Sequence, residues 1–155
     1  MSETDDLALF PQWKQAVQDF LATFTYGDLV PHEWLVEHFG MPPLKDSQKL
    51  TAADFRRRQF DLLANTESFK HALLEQHQIF LQAVRGEGYR WSHPGEQTAL
   101  ATKEFERDAK RAFRSAGQRL RNVRLTELTD DQRRENTDAI AKVSALRGMA
   151  RKALR

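Results

Sequence analysis

Between residues 10 and 24 the apolar side chains fall at Phe10, Trp13, Ala16, Val17, Phe20, Leu21 and Phe24. That spacing lines one face of a helix. Pro11 suits its first turn, where a missing N–H costs little. Phe24-Thr25-Tyr26 is a short β-prone run, and Gly27-Asp28 turns the chain. Pro31 opens a second predicted helix with Trp34, Leu35, Phe39 and His38 on its inner side. Gly40 stops that helix and Pro42-Pro43 prevents its continuation. Residues 41–50 read as a polar loop. Thr51-Ala52-Ala53-Asp54 then resembles a capping box, with Asp in place of the usual Glu. The helix it starts carries Phe55, Phe60, Leu62 and Leu63. Asn65-Thr66 breaks or bends it before the apolar face continues through Phe69, Ala72, Leu73 and Ile79. Trp13, Trp34, Phe39, Phe55, Phe60 and Phe69 all sit at core spacing, and residues 1–8 are expected to fray.

Gln78 to Val84 is β-prone, Tyr89 to Trp91 is aromatic, and Gly86 and Gly88 lie between them. Two such runs around a glycine-rich reversal predict a hairpin, ended by His93-Pro94-Gly95. A compact domain is expected over residues 1–98. From residue 99 to 155 the pattern becomes that of long helices. Phe105, Ala109, Ala112, Phe113, Ala116, Leu120 and Val123 form one stripe, and Lys103, Arg107, Lys110, Arg111, Arg114, Gln118 and Arg121 the opposite one. Thr129 with Gln132 is a capping box for a last helix with Ile140, Val143, Leu146, Ala150 and Leu154 inward. These two helices are expected to pair as an antiparallel hairpin. The predicted fold class is therefore mainly α with a small β-hairpin.

Charge sharpens this division. Residues 1–98 carry 9 Lys or Arg against 14 Asp or Glu, a balance of −5, whereas residues 99–155 carry 15 against 8, a balance of +7. The halves have different electrostatic tasks, or they attract each other or a second copy. With no Cys in 155 residues, disulfides, thiolate nucleophiles and Cys-based zinc sites are excluded. No apolar run approaches membrane-spanning length, and the acidic start Met1 to Asp6 does not resemble a secretory signal. A cytoplasmic protein is the expectation.

The run Ile79-Phe80-Leu81-Gln82-Ala83-Val84-Arg85-Gly86-Glu87-Gly88-Tyr89-Arg90 resembles the wing of the winged-helix effector domains of bacterial two-component response regulators. The matched block covers about residues 66–92, with Thr66 to His77 standing where the family has its recognition helix. The resemblance implies a winged helix-turn-helix over residues 1–98, followed by the C-terminal helical hairpin. It also implies a DNA-binding role suited to a bacterial or phage genome. In this chain Thr66 to His77 offers Lys70 and His71 but also Glu67 and Glu75. A duplex-reading helix presents more Arg, Lys, Asn or Gln.

The candidate nucleic-acid contacts are Lys70 on that helix, Arg85 and Arg90 flanking the hairpin turn, and Lys103, Arg107, Lys110, Arg111, Arg114 and Arg121 on the basic stripe. Each is suited to phosphate contact, which adds affinity without sequence information. Arg56-Arg57-Arg58 spread around their helix and are expected to be solvated. Trp91 is either core or an exposed stacking platform. The five His residues form no metal-binding spacing. No nucleophile elbow, phosphate-binding glycine loop or catalytic carboxylate pair is present. The expectation is a non-enzymatic regulator without cofactor or metal, bound to double-stranded DNA. The alternative is an adaptor or inhibitor that docks its acidic domain on a protein. The C-terminal helices are candidates for homodimerisation in either case.

Overall fold

The computed structural model describes residues 11–44 and 49–154. The expected fraying of residues 1–8, the place of Phe10 and part of the 41–50 loop lie outside the described residues. The described chain is mainly helical with a three-stranded antiparallel sheet: α1 (Gln12–Thr23), β1 (Leu29–Pro31), α2 (His32–His38), α3 (Ala52–His77), β2 (Leu81–Val84), β3 (Gly88–Trp91), α4 (Pro94–Arg121) and α5 (Asp130–Ala153), with a 3₁₀ turn at Leu125–Glu127. It divides into two compact units, Met1–Gln97 and Thr98–Arg155.

In the first unit the core follows from the helical periodicities. Helix α1 turns Ala16, Val17 and Phe20 inward, α2 adds Leu35, and α3 adds Thr66, Phe69, Ala72 and Leu73. Phe20 is fully buried at the centre, with its ring centroid 5.7 Å from Phe69 and 4.9 Å from Trp91. Val30, Leu81 and Trp91 bring the sheet into the same cluster. Burial of Trp91, at 8% exposure, removes it as a stacking platform for a base.

Sheet order is β1-β3-β2, both pairings antiparallel. The first strand lies at Leu29–Pro31, not at the β-prone run 24–26. Phe24 instead turns its ring against Phe20 and Trp34, at 5.3 and 5.1 Å. Thr25 to Asp28 then close a turn: the Asp28 carboxylate accepts from the Thr25 N–H at 2.9 Å, and Gly27 takes φ +86°. Pairing with β3 begins within that reversal, where the Gly27 N–H donates to the Trp91 carbonyl at 2.7 Å and the Trp91 N–H to the Asp28 carbonyl at 2.9 Å. The hairpin has the predicted order, with Val84 opposite Gly88 across a turn at Arg85–Glu87. Gly86 supplies the left-handed residue of that turn at φ +78°.

Helix α3 is one continuous helix. Thr66, expected to break or bend it, donates its hydroxyl to the Leu62 carbonyl at 2.7 Å and stays within the helix. The Thr51–Asp54 capping box is formed in both directions. Burial begins at Thr66; none of residues 52–65 is buried. Phe55 and Phe60, expected in the core, are 47% and 75% exposed. Five residues apart, they point to different sides of α3, and no other element covers either ring among the described residues. Replacing Phe60 by Ser is therefore expected to move the unfolding free energy by less than about 0.5 kcal/mol in urea titration. A loss several times larger would show that Phe60 is packed.

In the second unit α4 and α5 face each other through Phe113, Gly117 and Leu120 on one side and Ile140 and Val143 on the other. Thr129 and Gln132 form the predicted capping box. The Arg133 guanidinium donates to the Leu125 carbonyl at 2.9 Å and ties the connection to α5. No described residue of α4 or α5 is buried. Leu146, expected inward, is 54% exposed, and Phe105 of the apolar stripe is 62% exposed. Two helices alone cannot surround a core.

Candidate nucleic-acid interface

The first unit's candidate cations are mostly engaged. Lys70 lies 3.9 Å from the Glu67 carboxylate and 5.1 Å from the centroid of the half-buried Tyr89 ring. Arg90 donates to the Glu96 carboxylate at 2.7 Å and to the Gln82 side-chain carbonyl at 3.1 Å. It thereby joins β3 both to β2 and to the first turn of α4. Arg85 is exposed in the hairpin turn, two residues from Glu87. Of the Arg56–Arg58 run, Arg58 donates to the Pro42 carbonyl. The exposed part of α3 next to the sheet presents Glu67, His71, Leu74 and Glu75, a poor set for reading base edges.

The Arg90 guanidinium holds the Glu96 carboxyl below the ordinary glutamate range, chiefly through its hydrogen bond; partial burial opposes this, and the charges of Arg90 and His93 assist it. A carboxylate with a depressed folded-state pKa contributes stability above its unfolded value. That contribution is lost as pH falls through the lowered value. Glu96→Gln is thus expected to flatten part of the acid side of the stability–pH curve. An unchanged acid slope would remove the link. Burial, and secondarily the Glu67 charge, push the Tyr89 phenol up.

The second unit differs. Arg107 pairs with Glu104 at 3.8 Å and Asp108 at 3.4 Å. Among the described residues, Lys103, Lys110, Arg111, Arg114 and Arg121 have no carboxylate within ion-pair distance. Lys103, Lys110, Arg114 and Arg121 recur at seven, four and seven residues along one side of α4, and all are exposed. Lys110 and Arg114 do not stand opposite the apolar stripe. They flank it, because each follows an apolar position, Ala109 or Phe113, by a single residue.

Alongside them a groove of about 410 Å³ runs between α4 and α5, and Arg147 and Arg151 of α5 reach it as well. The sequence alone does not single out these two arginines. Their four-residue spacing beside Ala150 and Leu154 is a usable signal only once the register of the two helices is known. Four cations and one carboxylate, Glu106, thus line one groove. Such a surface attracts anions.

Among the described residues no cluster of three or more His, Asp or Glu could hold a metal ion. His38 stacks on Trp34 at 3.8 Å, and His93 on Tyr26 at 5.9 Å. No described helix is long and apolar enough to cross a membrane. No protein-family model, curated protein or solved structure matches the chain.

Proposed function

We propose that this chain is a non-enzymatic, cytoplasmic nucleic-acid-binding protein whose first unit is a winged helix and whose second unit supplies the phosphate contacts. The order α1-β1-α2-α3-β2-β3 with sheet order β1-β3-β2 supports the winged-helix reading. One observation carries the functional reading. Lys103, Lys110, Arg111, Arg114 and Arg121 are exposed on α4 without carboxylate partners among the described residues, while Lys70 and Arg90 of the first unit are paired. Affinity then resides in α4 and is indifferent to base sequence, and double-stranded DNA is the expected ligand.

The test is affinity for random duplex DNA across a series of salt concentrations. Five phosphate contacts give a log–log slope of about −4.5. A protein that ignores duplex even at low salt sinks this reading.

A protein-docking role for the first unit is the second reading, favoured by a specific feature. A shallow groove of about 230 Å³ between α3 and β2 is bordered by Leu74, Ile79, Phe80 and Leu81, together with Glu67, Lys70 and His71. In a unit with a charge balance of −5, that groove suits an adaptor or inhibitor that binds a basic, partly apolar protein surface.

A further inference from the structure

Apart from the single carboxylate of Glu106, the groove between α4 and α5 has two kinds of wall. Ala109 and Phe113 on α4, Ala150 on α5 and Leu154 just past its end are apolar and half-buried. Lys110 and Arg114, and across from them Arg147 and Arg151, are exposed. On each helix the apolar pair and the cationic pair both repeat at four residues, so an apolar track runs between two rows of positive charge. The track is also unfinished, since nothing described in this unit is buried.

We propose that this groove receives an acidic amphipathic helix from a partner protein, laid along α4 and α5 to complete a three-helix core. The incoming helix needs an apolar stripe, flanked on both sides by Asp or Glu. Ala109 and Ala150 are small enough for its large apolar side chains to seat between Phe113 and Leu154. Its flanking carboxylates meet Lys110 and Arg114 on one side and Arg147 and Arg151 on the other. Charge selects this occupant over a second copy of the same unit, because residues 99–155 carry a balance of +7 and like-charged units repel. Shape selects it over a duplex, which is too broad to reach half-buried side chains between two helices. The helix and nucleic acid share Lys110 and Arg114, so binding of one excludes the other. The groove's affinity for a helix does not depend on nucleic acid being a ligand.

The experiment uses the full chain without nucleic acid. A fluorescent designed helix with Leu at its core heptad positions and Glu at the flanking ones is titrated by anisotropy, beside a twin with Lys in place of Glu. The Glu peptide is expected to bind with a Kd on the order of 10 μM, and Arg147→Glu combined with Arg151→Glu to weaken it by at least about tenfold. The same double variant is expected to bind the Lys twin, which wild type rejects. Because both positions are exposed, the exchange leaves the fold intact, and circular dichroism checks this. Phe113→Ala is expected to weaken the Glu peptide as well. The proposal is overturned if the Glu peptide fails to bind wild type near 1 mM, or binds the charge-reversed variant equally well. It is equally overturned if a proline-interrupted, non-helical peptide of the same charge binds as tightly. Phe113-dependent binding of a single-stranded oligonucleotide but not of the peptide would assign the groove to nucleic acid. Self-association abolished by the same variants, without peptide binding, would assign it to a second copy.

Discussion

Replacing Gly88 by alanine is expected to unfold or severely loosen the first unit. Gly88 lies in β3, where it pairs with Pro31 of β1 and Val84 of β2. Its φ is +153°, and a Cβ built there would stand 2.0 Å from the Val30 carbonyl oxygen and 3.0 Å from Pro31 Cα. Those neighbours are backbone, so no rotamer change relieves the collision. Either β1 separates from β3 or β3 changes conformation, and both outcomes displace Val30 from the core. A cost above about 4 kcal/mol is expected, since loss of packing adds to backbone strain. Gly86 offers the contrast: an alanine there meets nothing within 4 Å and carries only the penalty of its φ of +78°, about 1 kcal/mol. Urea denaturation of the two variants gives the comparison directly. Equal stabilities would show that the two edges of the hairpin are not packed as described.

The second large effect concerns binding. Replacing Lys110, Arg111, Arg114 and Arg121 together by alanine is expected to reduce affinity for random duplex about a thousandfold at moderate salt. It should also flatten the salt slope by about 3.6. These four positions are exposed and unpaired with carboxylates among the described residues, so their loss leaves no stranded charge. Arg107→Ala serves as the control. Its guanidinium already faces Glu104 and Asp108, and it should change affinity far less. If the quadruple variant kept the wild-type slope, α4 would not be the phosphate-binding element.

Much of the fold can be read locally. Both capping boxes, the Gly86 turn and the helical stripes depend on residues a few positions apart, and the chain forms them as their spacing predicts. What sequence does not carry is coverage. Phe55 and Phe60 are aromatic and read as core candidates, yet they stand five residues apart on different sides of α3, and local pattern cannot say whether anything packs over either. Phe24-Thr25-Tyr26 has β character, yet the demand of the Phe20 cluster for the Phe24 ring decides its place. The same division holds for the candidate site. The alignment of cations along α4 is legible from the sequence. The pairing of Arg90 with Glu96, from a strand to a following helix, is not. The meeting of Arg147 and Arg151 with Lys110 and Arg114 depends on how two distant helices register.

The sheet order leaves β1 and β2 as the outer strands, with β1 only three residues long and ending in Pro31. A proline ring has no amide hydrogen to offer, and three residues give too few remaining groups to template a neighbour's backbone. On that flank, fibre-like stacking of one molecule's ribbon on the next is blocked by chemistry already present in the native fold. The small sheet is thus closed to strand addition along β1, and β2 is the outer strand that remains.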